Sequence, residues 1–378
     1  MKHIKELDGV RGIAVTLVII EHWFPKSSFL NKLPNGAIGV SIFFVLSGFL
    51  ISRILFETRV EIQEAQQSAW QVIKNFYLRR ALRIFPIYYL CLAILYIFEA
   101  GTSQEVRGPI LYFITFTQNF YFFHIDFWPG ILSHLWSLAV EEQFYLCWPF
   151  LMLFVNKRYL LAVIVLVISF SVCTQFLMRN INMSGLLTFN CLHAFGTGTL
   201  LSWFIHYKSD MADRALNFLQ IIGPLSAVLI LLGNYFSVRL FAFQDPLICV
   251  VGAWLIFYIY KKHDTEEMRF RFLLANPIAI YIGRVSYGIY LYHNLVPKLL
   301  NYNLVNIYIN PYLPNILKTN LFGWLFLTEN LLMLLAVASL SYYLIERPIL
   351  KLKNRFSYRR PQSNQKRNFL PLSKGLKL

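Results

Sequence analysis

The run Gly36-Ala-Ile-Gly39-Val-Ser41-Ile-Phe-Phe-Val-Leu-Ser47-Gly48-Phe-Leu-Ile-Ser52 decides the fold. It holds no charged side chain, and the mostly apolar window around it, 37–56, has the roughly 20 residues a helix needs to cross a bilayer. Its glycines suit close packing of helices through small residues. They do not make a phosphate-binding loop, because no Lys follows and no strand precedes them. Outward from this window, comparable apolar stretches recur at 13–24 (short, extended by the turn before it), 84–100, 135–155, 159–178, 187–206, 216–233, 245–260, 278–297 and 321–345. One more stretch, 109–123, is short and aromatic and carries Thr115, Thr117, Gln118 and Asn119.

Composition agrees with this pattern. Hydrophobic residues make up 57% of the 378 and charged residues 14%, too little polar surface for a soluble chain of this length. The 34 Phe, 22 Tyr and 8 Trp suit spans with interfacial rings. The sequence therefore predicts an all-α integral membrane protein: a single bundle of about ten transmembrane helices, with 109–123 as a membrane-buried re-entrant segment. The first apolar stretch is not a cleavable signal, since a charged turn precedes it, it contains Glu21 and His22, and no small-residue cleavage site follows. The five cysteines sit singly in apolar segments, as small buried residues do.

Basic residues set the orientation. With the N-terminus inside and 109–123 re-entrant, all but seven of the 35 Lys and Arg fall on or near the cytoplasmic side, and both termini are cytoplasmic. Were 109–123 a full span, the basic tail 351–378 would lie outside. The transmembrane domain is placed at 1–350 and the tail, with no acidic residue, is read as a disordered cytoplasmic segment facing anionic lipid. A membrane address accounts for the net charge of +16 without nucleic acid as a partner.

Ionisable groups inside a bilayer cost about 3 kcal/mol each, so each such group points to function. Arg11 and His22, eleven residues apart, share a helix face and are separated by about 16 Å along the axis. His22, deep in the membrane, suits a general base; equally, it suits a bond to a neighbouring helix. Arg80 and Arg83 share a face and, with Arg79, can clamp an anion, although arginines at a cytoplasmic helix start also follow from topology alone. In His134-Leu-Trp136-Ser137-Leu-Ala-Val-Glu141-Glu142, the paired carboxylates resist explanation as packing, and Glu141 can orient an imidazole or act as acid–base group. In 283–294, Tyr287, Tyr290 and His293 either line a cavity for a hydroxylated substrate or pair between helices. No metal-ligand spacing and no Gly-x-Ser-x-Gly elbow is present, so no metal is expected.

In this order the elements resemble the acyltransferase-3 family of bacterial membrane acyltransferases. The resemblance runs through Leu7-Asp8-Gly9-Val10-Arg11-Gly12 to His22, the Phe43–Ile51 run, Arg80-x-x-Arg83, the Trp136–Tyr145 element, Ser286-Tyr287-x-x-Tyr290-x-x-His293 and Glu346-Arg347-Pro348. It covers residues 5 to about 350. Many relatives have an acidic residue where Ser41 stands, and some append an esterase-like domain that is not seen here. The resemblance implies transfer of acetyl, or another short acyl group, from cytoplasmic acyl-coenzyme A to a hydroxyl of a surface polysaccharide or glycolipid, in a bacterial inner membrane. It places Arg11, Arg80 and Arg83 on the donor phosphates, His22 as base with Glu141 as its partner, and Trp136, Ser137, Glu142, Tyr287, Tyr290 and His293 around the acceptor. The alternative is a proton-coupled transporter of a glycan or small molecule, which would call for inverted repeats and broken helices in matching halves.

Overall fold

The computed structural model describes residues 4–63, 68–97, 107–236, 243–263, 265, 271–299 and 321–356. Among them every element is helical. In chain order these are α1 (Lys5–Trp23), α2 (Asn35–Gln63), α3 (Ala69–Ile97), α4 (Ile110–Ile114), α5 (Gln118–Ile125), α6 (Trp136–Phe154), α7 (Lys157–Leu177), α8 (Thr188–Tyr207), α9 (Ser209–Tyr235) and α10 (Gln244–Lys262). After these come α11 (Arg271–Leu274), α12 (Pro277–Arg284), α13 (Ser286–Tyr292), α14 (Leu295–Leu299), α15 (Leu321–Ser341) and α16 (Arg347–Lys351).

Among the described residues five helices are long and apolar enough to cross a membrane: α2, α3, α7, α9 and the composite Trp324–Arg355. That is half the number expected from sequence, and the polar residues explain the difference. Helices α1, α6, α8 and α10 have 19 or 20 residues, about 29 Å of helix, but carry Arg11, the Glu141–Glu142 pair, His193 and Asp245. The stretch expected to span at 278–297 is broken. Helix α12 stops at Arg284, Ser286 Oγ donates back to the Gly283 carbonyl at 2.8 Å, and α13 starts afresh. The 109–123 segment forms α4 and α5, of 5 and 8 residues, broken where Phe116 adopts φ 53°. Neither piece can cross a bilayer.

Helix α2 is the hub, touching α1, α6, α8 and α10. Of its apolar window 56% is buried, against 17–33% for the other four candidate spans. Such close seating needs glycine. A β-carbon on Gly48 would stand 2.1 Å from the Phe195 carbonyl oxygen of α8, and one on Gly283 only 1.7 Å from the Asp8 carbonyl oxygen of α1.

The outer surface is inverted relative to a soluble protein. Helix α7 buries Leu160, Ile164, Ser171 and Gln175 on one face and exposes Leu166, Phe170 and Leu177 on the other. Polar groups turned inward and leucines outward suit a lipid solvent. The chain is thus an all-α, multi-span membrane protein. Its last helix runs through a π-helical turn, Tyr342–Glu346, into α16 and a 3-10 turn, Leu352–Arg355. The folded unit therefore extends a few residues past 350, and the tail from 357 lies outside the described residues.

Candidate active site

A cavity of about 640 Å³ opens between α1, α2, α3, α6, α12, α13 and the last helix. One end is basic. Arg11, Arg79, Arg80, Arg83, Arg284 and Lys353 line it, against only Asp8, Glu141 and Glu346 among acids. Each basic group arrives by a local device. Arg79, Arg80 and Arg83 lie within two turns of α3. Arg284 ends α12 at the break, and Arg11 is brought in by the glycine contact of α1 with α12. Lys353 sits on the 3-10 turn after α16, which Arg79 Nη1 clamps by donating to the carbonyls of Lys353 (2.9 Å) and Phe356 (3.1 Å). The wider π-helical turn puts Tyr342 and Glu346 on the same wall.

Several of these cations are constrained. Arg11 pairs with Asp8 at 2.7 Å, and the Arg80 guanidinium lies 5.0 Å from the Tyr145 ring centroid. Arg83 lies near the like charges of Arg11 and Arg80, with Glu141 and Glu346 as nearby opposing ones. Glu141 is held by hydroxyls: Ser47 Oγ donates to its Oε1 at 2.5 Å and the Tyr145 hydroxyl donates to the same oxygen. A surplus of positive charge gathered in a pocket of small-molecule size can hold a polyanion.

At the other end Ser137 Oγ and the Tyr290 hydroxyl are hydrogen-bonded at 2.5 Å and close the wall. The Tyr290 hydroxyl also donates to the His134 carbonyl at 2.8 Å. Three imidazoles cluster nearby. The ring centroids of His134 and His293 are 4.6 Å apart, and those of His293 and His22 are 4.9 Å apart. His134 and His293 are buried, whereas His22 is exposed. The Trp23 indole donates to the His293 carbonyl at 2.9 Å and ties the end of α1 to this cluster.

The expected site residues thus separate into two groups. Arg11, Arg80, Arg83, Ser137, Glu141, Tyr287 and Tyr290 share the cavity, Tyr287 donating to the Ile84 carbonyl at 2.9 Å. His22 and His293 meet outside the cavity lining. The expected His22–Glu141 partnership is not a contact: Glu141 bonds Ser47 and Tyr145, while the His22 Nδ1 faces the Val18 carbonyl at 2.8 Å. Trp136 turns away, edge-on to Phe44, and Glu142 is absent from the cavity wall. Its buried Oε1 has no hydrogen-bond partner among the described residues. Sequence reasoning overlooked Ser47, Tyr145, Arg284, Tyr342, Glu346 and Lys353. Glu346, an acid inside an otherwise apolar final span, was the one signal available to find the last wall.

Comparison with known proteins follows the same division of the chain. A family model described as an acyltransferase domain matches residues 4–346. The peptidoglycan O-acetyltransferase OatA of Listeria monocytogenes is 30% identical over 77% of this chain and 49% of its own length. A putative O-acetyltransferase of Staphylococcus aureus is 29% identical over 78% and 50%. The O-acetyltransferase OatA of the same species is 27% identical over 93% and 58%. The chain spans about half the length of these relatives. No solved structure matches it significantly. A match over nearly the whole helical bundle, carrying both the basic cavity and the histidine cluster, establishes that this chain belongs to the acyltransferase-3 family.

Proposed function

We propose that the protein is a membrane-bound O-acyltransferase, moving acetyl or another short acyl group from acyl-coenzyme A to a carbohydrate hydroxyl across the membrane. The observation that carries this reading is the basic cavity with a histidine cluster nearby. Six basic side chains line a single cavity, and exposed His22 packs on His293, three residues after the cavity-lining Tyr290.

On this reading about ten helical elements cross the bilayer, counting the broken α12–α14 as one. The basic end faces the cytoplasm of a bacterial inner membrane, as do both termini. Arg80 and Arg83, with Arg11, Arg79, Arg284 and Lys353, hold the donor phosphates through charge-assisted hydrogen bonds. The thioester then lies toward Ser137 and Tyr290, whose hydroxyls are committed to each other and to the His134 carbonyl and so shape the cavity wall there. Glu141, with Ser47 and Tyr145, fixes the arginine side of the cavity and is the acid–base group nearest the leaving sulfur. His22 works on the far side. Its Nδ1–H is committed to the Val18 carbonyl, which leaves the Nε2 lone pair to take the proton of the attacking hydroxyl.

The names of the relatives favour a cell-wall glycan such as peptidoglycan as acceptor. The test is transfer from radiolabelled acetyl-coenzyme A into the glycan fraction of membranes containing the protein. Label in the glycan with wild type, and loss of at least 90% with Arg80→Ala/Arg83→Ala at equal protein level, is the expected result. Label transferred equally well by the double variant would remove the donor site from this cavity.

A further inference from the structure

Contacts between helices fix the levels of the cavity. Helices α2 and α6 run side by side in the same direction. Phe44 lies edge-on to Trp136, Ser47 Oγ donates to Glu141, the Trp148 indole donates to Ser52 Oγ at 2.8 Å, and Arg59 donates to the Met152 carbonyl at 2.7 Å. Along α6, Ser137, Glu141 and Tyr145 follow one another at intervals of about one turn, and Arg80 stands against the Tyr145 ring. Ser137 is therefore about 12 Å along the helix axis from the level of Arg80. Helix α13 agrees: Tyr287 reaches the Ile84 carbonyl beside Arg83, and Tyr290, one turn further on, reaches Ser137.

The level of Ser137 is apolar. Val40, Phe43, Phe44 and Leu138 line the cavity there with Ser137 and Tyr290. Among the charged lining residues, Glu141 lies one turn away along α6, Arg83 lies level with Tyr287, and Arg284 precedes Tyr290 by six residues. The two hydroxyls are bonded to each other, and that of Tyr290 donates to the His134 carbonyl, so both hydrogens are committed. The wall is also stiff. Phe44 stacks on Phe195 of α8 at 4.5 Å, and Phe195 stacks on Phe144 of α6 at 4.1 Å, all three buried. Half-buried Phe43 meets the Tyr290 ring edge-on at 6.4 Å, and Tyr290 is itself held at its hydroxyl. A ring backed by a fixed ring does not retreat in that direction to admit a longer chain.

Resting on the transfer proposed above, we propose that this level of the cavity is the acyl pocket and that Phe43, braced by Tyr290, limits it to short, uncharged acyl groups. With the donor phosphates on the arginines, the acyl group enters between Glu141 and the Ser137–Tyr290 pair. Acetyl meets only apolar surface there. A longer alkyl chain meets the Phe43 ring, and a succinyl group brings a carboxylate to a level without a cation.

The experiment uses the purified protein in detergent, where both faces are open, with a soluble peptidoglycan oligomer as acceptor. Acetyl-, butyryl-, hexanoyl- and succinyl-coenzyme A are compared by kcat/KM. Wild type is expected to prefer acetyl over hexanoyl by about a hundredfold or more, and to transfer no succinyl although succinyl-coenzyme A competes with the acetyl donor. Phe43→Ala is expected to raise the hexanoyl-to-acetyl ratio about tenfold or more and to leave succinyl excluded. Phe43→Leu, which keeps more of the packing, should move the ratio in the same direction. The ratio does not depend on the fraction of protein that is folded, so a poorly folding variant still reports. Wild type using hexanoyl or succinyl as readily as acetyl, or a ratio unchanged in both variants, would overturn the pocket and leave acyl transfer standing. If wild type transferred no acyl group from any of these donors, transfer from acyl-coenzyme A would fall, and the pocket with it.

Discussion

Arg83 is the residue on which the proposed donor site turns. It is flanked by the like charges of Arg11 and Arg80 and lies in a helix that otherwise crosses an apolar medium. Cations gathered this closely favour a polyanion as ligand. Replacing one phosphate-binding arginine removes a charge-assisted bond of about 1.5–3 kcal/mol. Arg83→Ala is therefore expected to raise the KM for acyl-coenzyme A roughly tenfold to a hundredfold while the protein stays folded, as read from steady-state kinetics in detergent. Arg83→Lys should recover only part of this, because an ammonium cannot make the planar two-point contact. His22 belongs to the other half of the reaction. His22→Gln is expected to lower kcat by about two to four orders of magnitude and leave donor binding intact, measured by equilibrium binding of labelled coenzyme A. An unchanged kcat would place the base elsewhere.

At the scale of elements, the site depends on three places where regular helix gives way. The α12–α13 break presents Arg284 and Tyr287, the π-helical turn presents Tyr342 and Glu346, and the glycine seam between α1 and α12 draws Arg11 toward both. A side chain at Gly283 would collide with the Asp8 backbone, which cannot swing aside. Gly283→Val is expected to lower the melting temperature in detergent sharply and to lose donor affinity together with it. Retained affinity at wild-type stability would contradict the seam. These three devices also mark how far the sequence could be read. Positions on one helix were legible, because 3.6 residues per turn puts Arg80 with Arg83 and Arg11 in line with His22. Contacts between helices were not. Glu141 and His22 looked like partners, yet Glu141 turns to Ser47 on α2 while His22 turns to His293 on α13. Nothing periodic encodes which helices become neighbours. Lys353 was assigned to a disordered tail for the same reason: its place depends on the clamp by Arg79 on a helix far away in the chain.

The whole molecule reads as a bundle turned inside out for lipid. Leucines and phenylalanines lie on its outer face, and a cluster of ionisable groups lines an interior cavity. The proposed function has a cytoplasmic donor acylate an acceptor on the opposite face without coenzyme A crossing the membrane. The apolar run that opened the reading is the central helix of that bundle, and its charge-free length made the fold class plain before any contact was known. The most direct test is sidedness in sealed vesicles of the two orientations, with labelled acetyl-coenzyme A and a soluble glycan placed on chosen sides. Ester should form only when the donor is on the side of the arginine cluster and the glycan on the side of His22, and should vanish with His22→Ala. Ester formed with donor and glycan on the same side, or undiminished in His22→Ala, would contradict a path through the protein.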